Sequence, residues 1–160
     1  MSLKNNLIML NVIFLFILFT SGCLKTDNKN TEVDQMSKFQ IKSVFENNTK
    51  IQEKYTCKGE NINPPVSISG IPSNAKTLAL IVDDPDAPAG TWDHWIVFNI
   101  PIINKIDEDS IPGIEGLNSF RRNNYGGPCP PSGTHRYYFK IYALNTLLKL
   151  SGNSNKKDLC

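Results

Sequence analysis

Apolar and polar residues alternate over short stretches of this chain, and the stretches are separated by proline, glycine and asparagine. Phe39, Ile41, Ser43 and Phe45 alternate with polar neighbours, which predicts a half-buried strand over 39–45. Asn47 and Asn48 mark a turn, and Ile51 to Thr56 is expected to pair back. Val66-Ser67-Ile68-Ser69 alternates again, up to the Gly70-Ile71-Pro72 turn. Thr77 to Val82 is almost continuously apolar, the pattern of a central strand buried on both faces. Trp95 to Ile100 is a second such run, stopped by Pro101. Tyr137 to Leu144 is a third, with Phe139, Ile141 and Ala143 on one side. No segment carries a long apolar stripe of helical period, so the chain reads as an all-β sandwich and not as alternating strands and helices. Near the end, Ser154 or Asn155 is a good helix N-cap, but the sequence stops at Cys160 where that helix would begin. A C-terminal helix is therefore expected to be missing.

The N-terminal pattern is different. Lys4 precedes an apolar run from Leu7 to Phe19, and small residues follow up to Cys23. As a helix that run spans roughly 20 Å, short of the ~30 Å hydrocarbon core of a membrane. It reads as a secretory signal over 1–22. The segment Phe19-Thr20-Ser21-Gly22-Cys23 resembles a lipobox, in which the cysteine receives a lipid after cleavage, although Thr20 stands where leucine is usual. A plain signal peptide and an uncleaved anchor stay open beside lipidation of Cys23. Residues 24–37 are polar and patternless, a flexible tether with a reach of about 20 Å. The domains are thus 1–22 signal, 23–37 lipid-anchored tether and 38–160 folded domain. The expected location is outside the cytoplasm, anchored to the cell membrane, with secretion as the alternative.

Composition narrows the class further. The length of 160 residues suits one domain. The formal net charge of only +2 lacks the basic stripe of a nucleic-acid binder. Setting Cys23 aside leaves Cys57, Cys129 and Cys160. In an oxidising compartment Cys57 and Cys129 can form a disulfide; two small buried thiols are the other reading.

The sequence contains two histidines, His94 and His135. The first lies in Asp83-Asp84-Pro85-Asp86-Ala87-Pro88-Ala89-Gly90-Thr91-Trp92-Asp93-His94-Trp95, the second in Tyr125-Gly126-Gly127-Pro128-Cys129-Pro130-Pro131-Ser132-Gly133-Thr134-His135-Arg136-Tyr137. Prolines stiffen both loops, and Asp84 is held extended by the proline that follows it. Glycines allow close backbone approach. Two imidazoles, a tyrosine hydroxyl and backbone N–H groups make a donor-rich hole, with a carboxylate placed to fix one ring's tautomer. That is the chemistry of a small-anion site. Each part also has an ordinary structural role, as turn former, core aromatic or satisfied histidine. Ser132 near His135 lacks the strand–turn–helix elbow of a serine hydrolase, and the acids and histidines match no zinc or calcium loop.

These two segments resemble the two signatures of the phosphatidylethanolamine-binding family: Asp84-Pro85-Asp86-Ala87-Pro88 with Trp92-Asp93-His94-Trp95, and Pro130 to Tyr137. Cys57 to Pro65 looks like the matching loop of the prokaryotic, Raf-kinase-inhibitor-like branch. Two long motifs in order are far more specific than one short one. The resemblance implies two antiparallel sheets packed face to face, with short peripheral helices and an anion pocket at one end. By the same resemblance Asp84, His94, His135 and Tyr137 are ligand-binding, with Pro131 in the wall. It implies a non-enzymatic binding protein without cofactor or metal, whose ligand is a small anion or a phospholipid headgroup. Protein partners such as kinases or proteases, met through another surface, are the alternative.

Overall fold

Thr77–Asp84 and Trp92–Ile100 form the antiparallel pair that organises the domain, because both are apolar enough to be covered on two sides. The computed structural model describes residues 38–159. In chain order the strands are β1 (Gln40–Ser43), β2 (Val66–Ser69), β3 (Thr77–Asp84), β4 (Trp92–Ile100), β5 (Lys105–Ile106), β6 (Ile114–Glu115) and β7 (Tyr138–Leu144). They make a three-stranded sheet, β1-β2-β5, and a four-stranded sheet, β6-β4-β3-β7, with antiparallel pairing throughout. The fold is an all-β sandwich of two antiparallel sheets, as the pattern and the resemblance both imply.

The core between the sheets follows strand alternation. Val66 and Ile68 of β2, Leu78, Leu80 and Val82 of β3, and Trp95, Val97 and Ile100 of β4 form one buried cluster. Phe139, Ile141 and Ala143 of β7 pack against it from one side of their strand. On the opposite face of β3 and β4, Ala79, Ile96 and Phe98 are covered by Leu144, Leu148, Leu150 and Leu159. The C-terminal segment is pinned there by Asn99, whose side-chain amide donates to the Leu148 carbonyl and accepts from its N–H, both at 2.9 Å.

Two expectations shift. The 51–56 stretch does not pair as a strand; Glu53–Tyr55 is a single 3-10 turn anchored by the buried Tyr55. The first strand is shorter than 39–45. At the C-terminus only one helical turn is present, α1 (Lys156–Leu159), with Asn155 as its cap: Asn155 Oδ1 accepts from the Lys157 N–H and the Asn155 N–H donates to Asp158 Oδ2, each at 2.8 Å. The signal, the tether and Cys23 lie outside the described residues.

Candidate functional site

β3 and β4 pair with two register shifts that each leave an extra residue on β4, one between Leu78 and Leu80 and one between Val82 and Asp83. Val82 faces Trp95 and Asp83 faces Asp93, so His94 sits between them as a β-bulge. Bulges re-aim a side chain, and this one frees His94 from the ladder. Its Nδ1 donates to the Gly126 carbonyl at 2.6 Å, and its own carbonyl accepts the Gly126 N–H at 3.0 Å. That reciprocal pair fixes the Nδ1-protonated tautomer and leaves Nε2 as the ring's free polar atom. Burial pushes the His94 pKa below the usual histidine value. The ring meets Phe120 and Tyr137 edge-on, with centroids 5.4 and 5.2 Å away.

Asp84 closes β3 beside it. Its Oδ1 accepts the Asp86 N–H at 2.8 Å, the local bond that shapes the turn through Pro85. Its Oδ2 lies 2.7 Å from His135 Nδ1, with the two side chains 4% and 10% exposed respectively. Asp84 is also close enough for its charge to act on His94 and Tyr137. The Tyr137 hydroxyl is buried without a hydrogen-bond partner. Its pKa is pushed up to about 12, by burial first and then by the Asp84 charge. Asp84, His94, His135 and Tyr137 are therefore brought together, whereas Pro131 lies exposed in the loop leading to His135.

Neighbouring charges are committed elsewhere. Arg136 forks onto Asp86, with Nε at 2.9 Å and Nη2 at 2.5 Å, which holds the Asp86 carboxyl well below the usual range. Asp83 and Asp93 pair with lysines on the outer face.

Two supports were not legible beforehand. Asn118, only 4% exposed, donates to the His94 and Asn124 carbonyls and accepts the Phe120 and Arg122 N–H groups, shaping the loop beneath His94. Asn61 Oδ1 accepts the Gly127 N–H at 2.7 Å. Asn118 is a loop asparagine with no sequence signal beyond a propensity for turns, and Asn61 lies within the Cys57–Pro65 segment without anything there that marks it as a support for Gly127. Gly126 and Gly127 are required by contact: an added Cβ would lie 2.6 Å from the Phe120 ring or 2.5 Å from the Tyr55 carbonyl oxygen. Cys57 and Cys129 are joined by a disulfide, with Cα atoms 5.5 Å apart. A cavity of about 110 Å3 lies beside it, lined by Phe120, Arg122, Gly126 and Gly127 among others; Phe120 and Gly126 also touch His94, while Asp84 and His135 stand outside it.

The model of the phosphatidylethanolamine-binding protein family matches residues 41–160. The chain belongs to the phosphatidylethanolamine-binding protein family. A UPF0098 protein of Methanothermobacter thermautotrophicus is 46% identical over 123 residues, covering 72% of this chain and 82% of the relative. One from Pyrococcus horikoshii is 46% identical over 138 residues, covering 79% and 69%. The crystal structure of a phosphatidylethanolamine-binding protein homologue from Chlamydia trachomatis superposes with a TM-score of 0.73 at 40% identity, covering 76% of this chain and 84% of that one. Escherichia coli YbcL, described as a new member of the mammalian family, gives 0.71 at 31% identity, covering 76% and 86%. Family membership supports a binding protein, and the names of these relatives carry no enzymatic activity.

Proposed function

We propose that the chain is a non-catalytic, membrane-tethered receptor for a small anion or a phosphate-bearing lipid headgroup. The observation that carries this reading is the buried, unpartnered Tyr137 hydroxyl beside two imidazoles whose Nδ1 atoms are already engaged. An unmade buried hydrogen bond is costly, and an anion's oxygens would accept from that hydroxyl. The same oxygens would accept from Nε2 of each protonated ring. Asp84 behind His135 would stabilise the imidazolium on binding, so the guest meets a cation whose counter-charge is already in place. Pro131 would form part of the wall. Lipidation of Cys23 would hold the domain near headgroups at high effective concentration, in an extracytoplasmic location that suits the Cys57–Cys129 disulfide.

Calorimetry on the full chain with inorganic phosphate and with phosphoethanolamine tests the reading. Both should bind, and His135→Ala should weaken both by about tenfold or more, the loss of one charge-assisted hydrogen bond. Equal heats for wild type and variant would remove the pocket from the account and leave a protein-binding surface elsewhere as the working reading. A tighter complex with phosphoethanolamine than with phosphate points to a lipid source, and equal affinity to free phosphate.

A further inference from the structure

The Cys57–Cys129 disulfide is placed to control the site. It lies outside both apolar clusters, and both its residues are exposed. It closes a loop of 72 residues between two segments without regular strand structure, 56–61 and 125–129. Across that seam run few other ties. The Cys57 N–H donates to the Pro128 carbonyl at 3.1 Å, the Gly127 N–H to Asn61 Oδ1 at 2.7 Å, and the Tyr125 hydroxyl to the Tyr55 carbonyl at 2.9 Å. Three residues before Cys129 stands Gly126, whose carbonyl fixes the His94 ring. The path from the disulfide to a candidate ligand donor is therefore one short, glycine-containing stretch of backbone.

We propose that Cys57–Cys129 is a thiol-exchange site, through which a dithiol reductant releases the Gly126–Cys129 segment and weakens anion binding at His94. This rests on the anion-site reading above. A thiolate of the dithiol attacks one sulfur, forming a mixed disulfide and expelling the other cysteine. The second thiol of the reductant then resolves the mixed disulfide. Cys57 and Cys129 end as two thiols, and the reductant, having given up two electrons and two protons, ends as its own disulfide. The sulfurs lie outside the sheets and their cores and Tyr125 stays anchored in the cluster between the sheets, so the fold persists while the Gly126 carbonyl loses its fixed position. If the reduced loop keeps the binding geometry about one-tenth of the time, the apparent affinity falls about tenfold.

The test compares the oxidised full chain, the same chain in dithiothreitol, and the Cys57→Ser/Cys129→Ser variant. Phosphate affinity is measured by calorimetry, amide exchange is followed at position 57 and at Gly127, and the His94 ring tautomer is read by nitrogen NMR. The expected result is roughly tenfold weaker phosphate binding in both disulfide-free forms, faster exchange at those two amides and a mixed His94 tautomer, with core amides unchanged. Equal affinity with unchanged exchange would make the disulfide a plain staple and overturn the proposal, as would global unfolding on reduction. If phosphate does not bind even the oxidised chain, the anion reading fails, and the exchange and tautomer data still decide whether the disulfide controls His94.

Discussion

Asp83 and Asp84 are neighbours in sequence, both buried, and they serve opposite faces of β3. Asp83 points to the outer face, where Lys140 and Lys156 each approach its Oδ2 at 2.6 Å and Lys156 also reaches Asp93 at 2.9 Å. Asp84 meets one imidazole and one backbone N–H, beside an unpartnered hydroxyl. The outer cluster consists of carboxylates paired with lysines. The inner one is built from two imidazoles and a phenol and retains unused donor capacity. Each cluster holds one buried atom without a partner, Asp83 Oδ1 outside and the Tyr137 hydroxyl inside; the first is an acceptor whose carboxylate is already paired with two lysines, the second a donor free to meet an anion.

The strongest test of that contrast is Asp83→Asn. It leaves Lys140 and Lys156 facing a neutral amide. Breaking a buried pair costs roughly 3–5 kcal/mol, but the lysine side chains keep 39% and 26% exposure, so the expected loss is about 2 kcal/mol once solvent screening is allowed for. Urea unfolding measures it, and phosphate affinity should stay within about twofold. A variant of wild-type stability would show that the outer cluster is decorative; one that also lost binding would erase the division between the two faces.

Much of this contrast was legible in the residues, and some was not. The alternation in Val66–Ser69 and the apolar runs of β3 and β7 specify sheets and faces, because a period of two has one way to bury itself. The paired motifs named Asp84, His94, His135 and Tyr137. What the sequence could not display was the bulge: the apolar run marks the strand only from Trp95 to Ile100, and neither its extension to Trp92 nor the extra residue at His94 appears until the register against β3 is counted. Nor could Gln52–Thr56 be told from a strand, since one buried Tyr55 is all that separates a 3-10 turn from an extended edge. Nor does the sequence show that Asp83 and Asp93 hold lysines 57 and 63 residues away.

Tyr137→Phe probes the inner face with a smaller change. The hydroxyl it removes has no partner, so stability should hold or rise by up to ~1 kcal/mol. Phosphate affinity should fall about tenfold, the worth of one hydrogen bond to a charged group. Thermal unfolding and calorimetry on the same samples separate the two quantities. A loss of stability with unchanged affinity would make Tyr137 a core aromatic and nothing more.

The smallest effect is the pH dependence, and its sign distinguishes the faces. The folded protein holds His94 below its unfolded value because burial disfavours the imidazolium. Above about pH 6.5 the ring is neutral in both states and contributes nothing to the balance. As pH falls through that value the unfolded chain takes up a proton that the folded chain refuses, so stability declines by at most ~1.4 kcal/mol per pH unit until the lowered pKa is reached. The window for protonating His94 thus lies below, and not at, the ordinary histidine range. An anion on Nε2 favours the charged ring, so saturating phosphate should flatten the decline. Unfolding at pH 7.5 and 5.5, with and without phosphate, reads both slopes; parallel slopes would mean that the anion never meets His94, while Asp83→Asn should leave the difference between them intact.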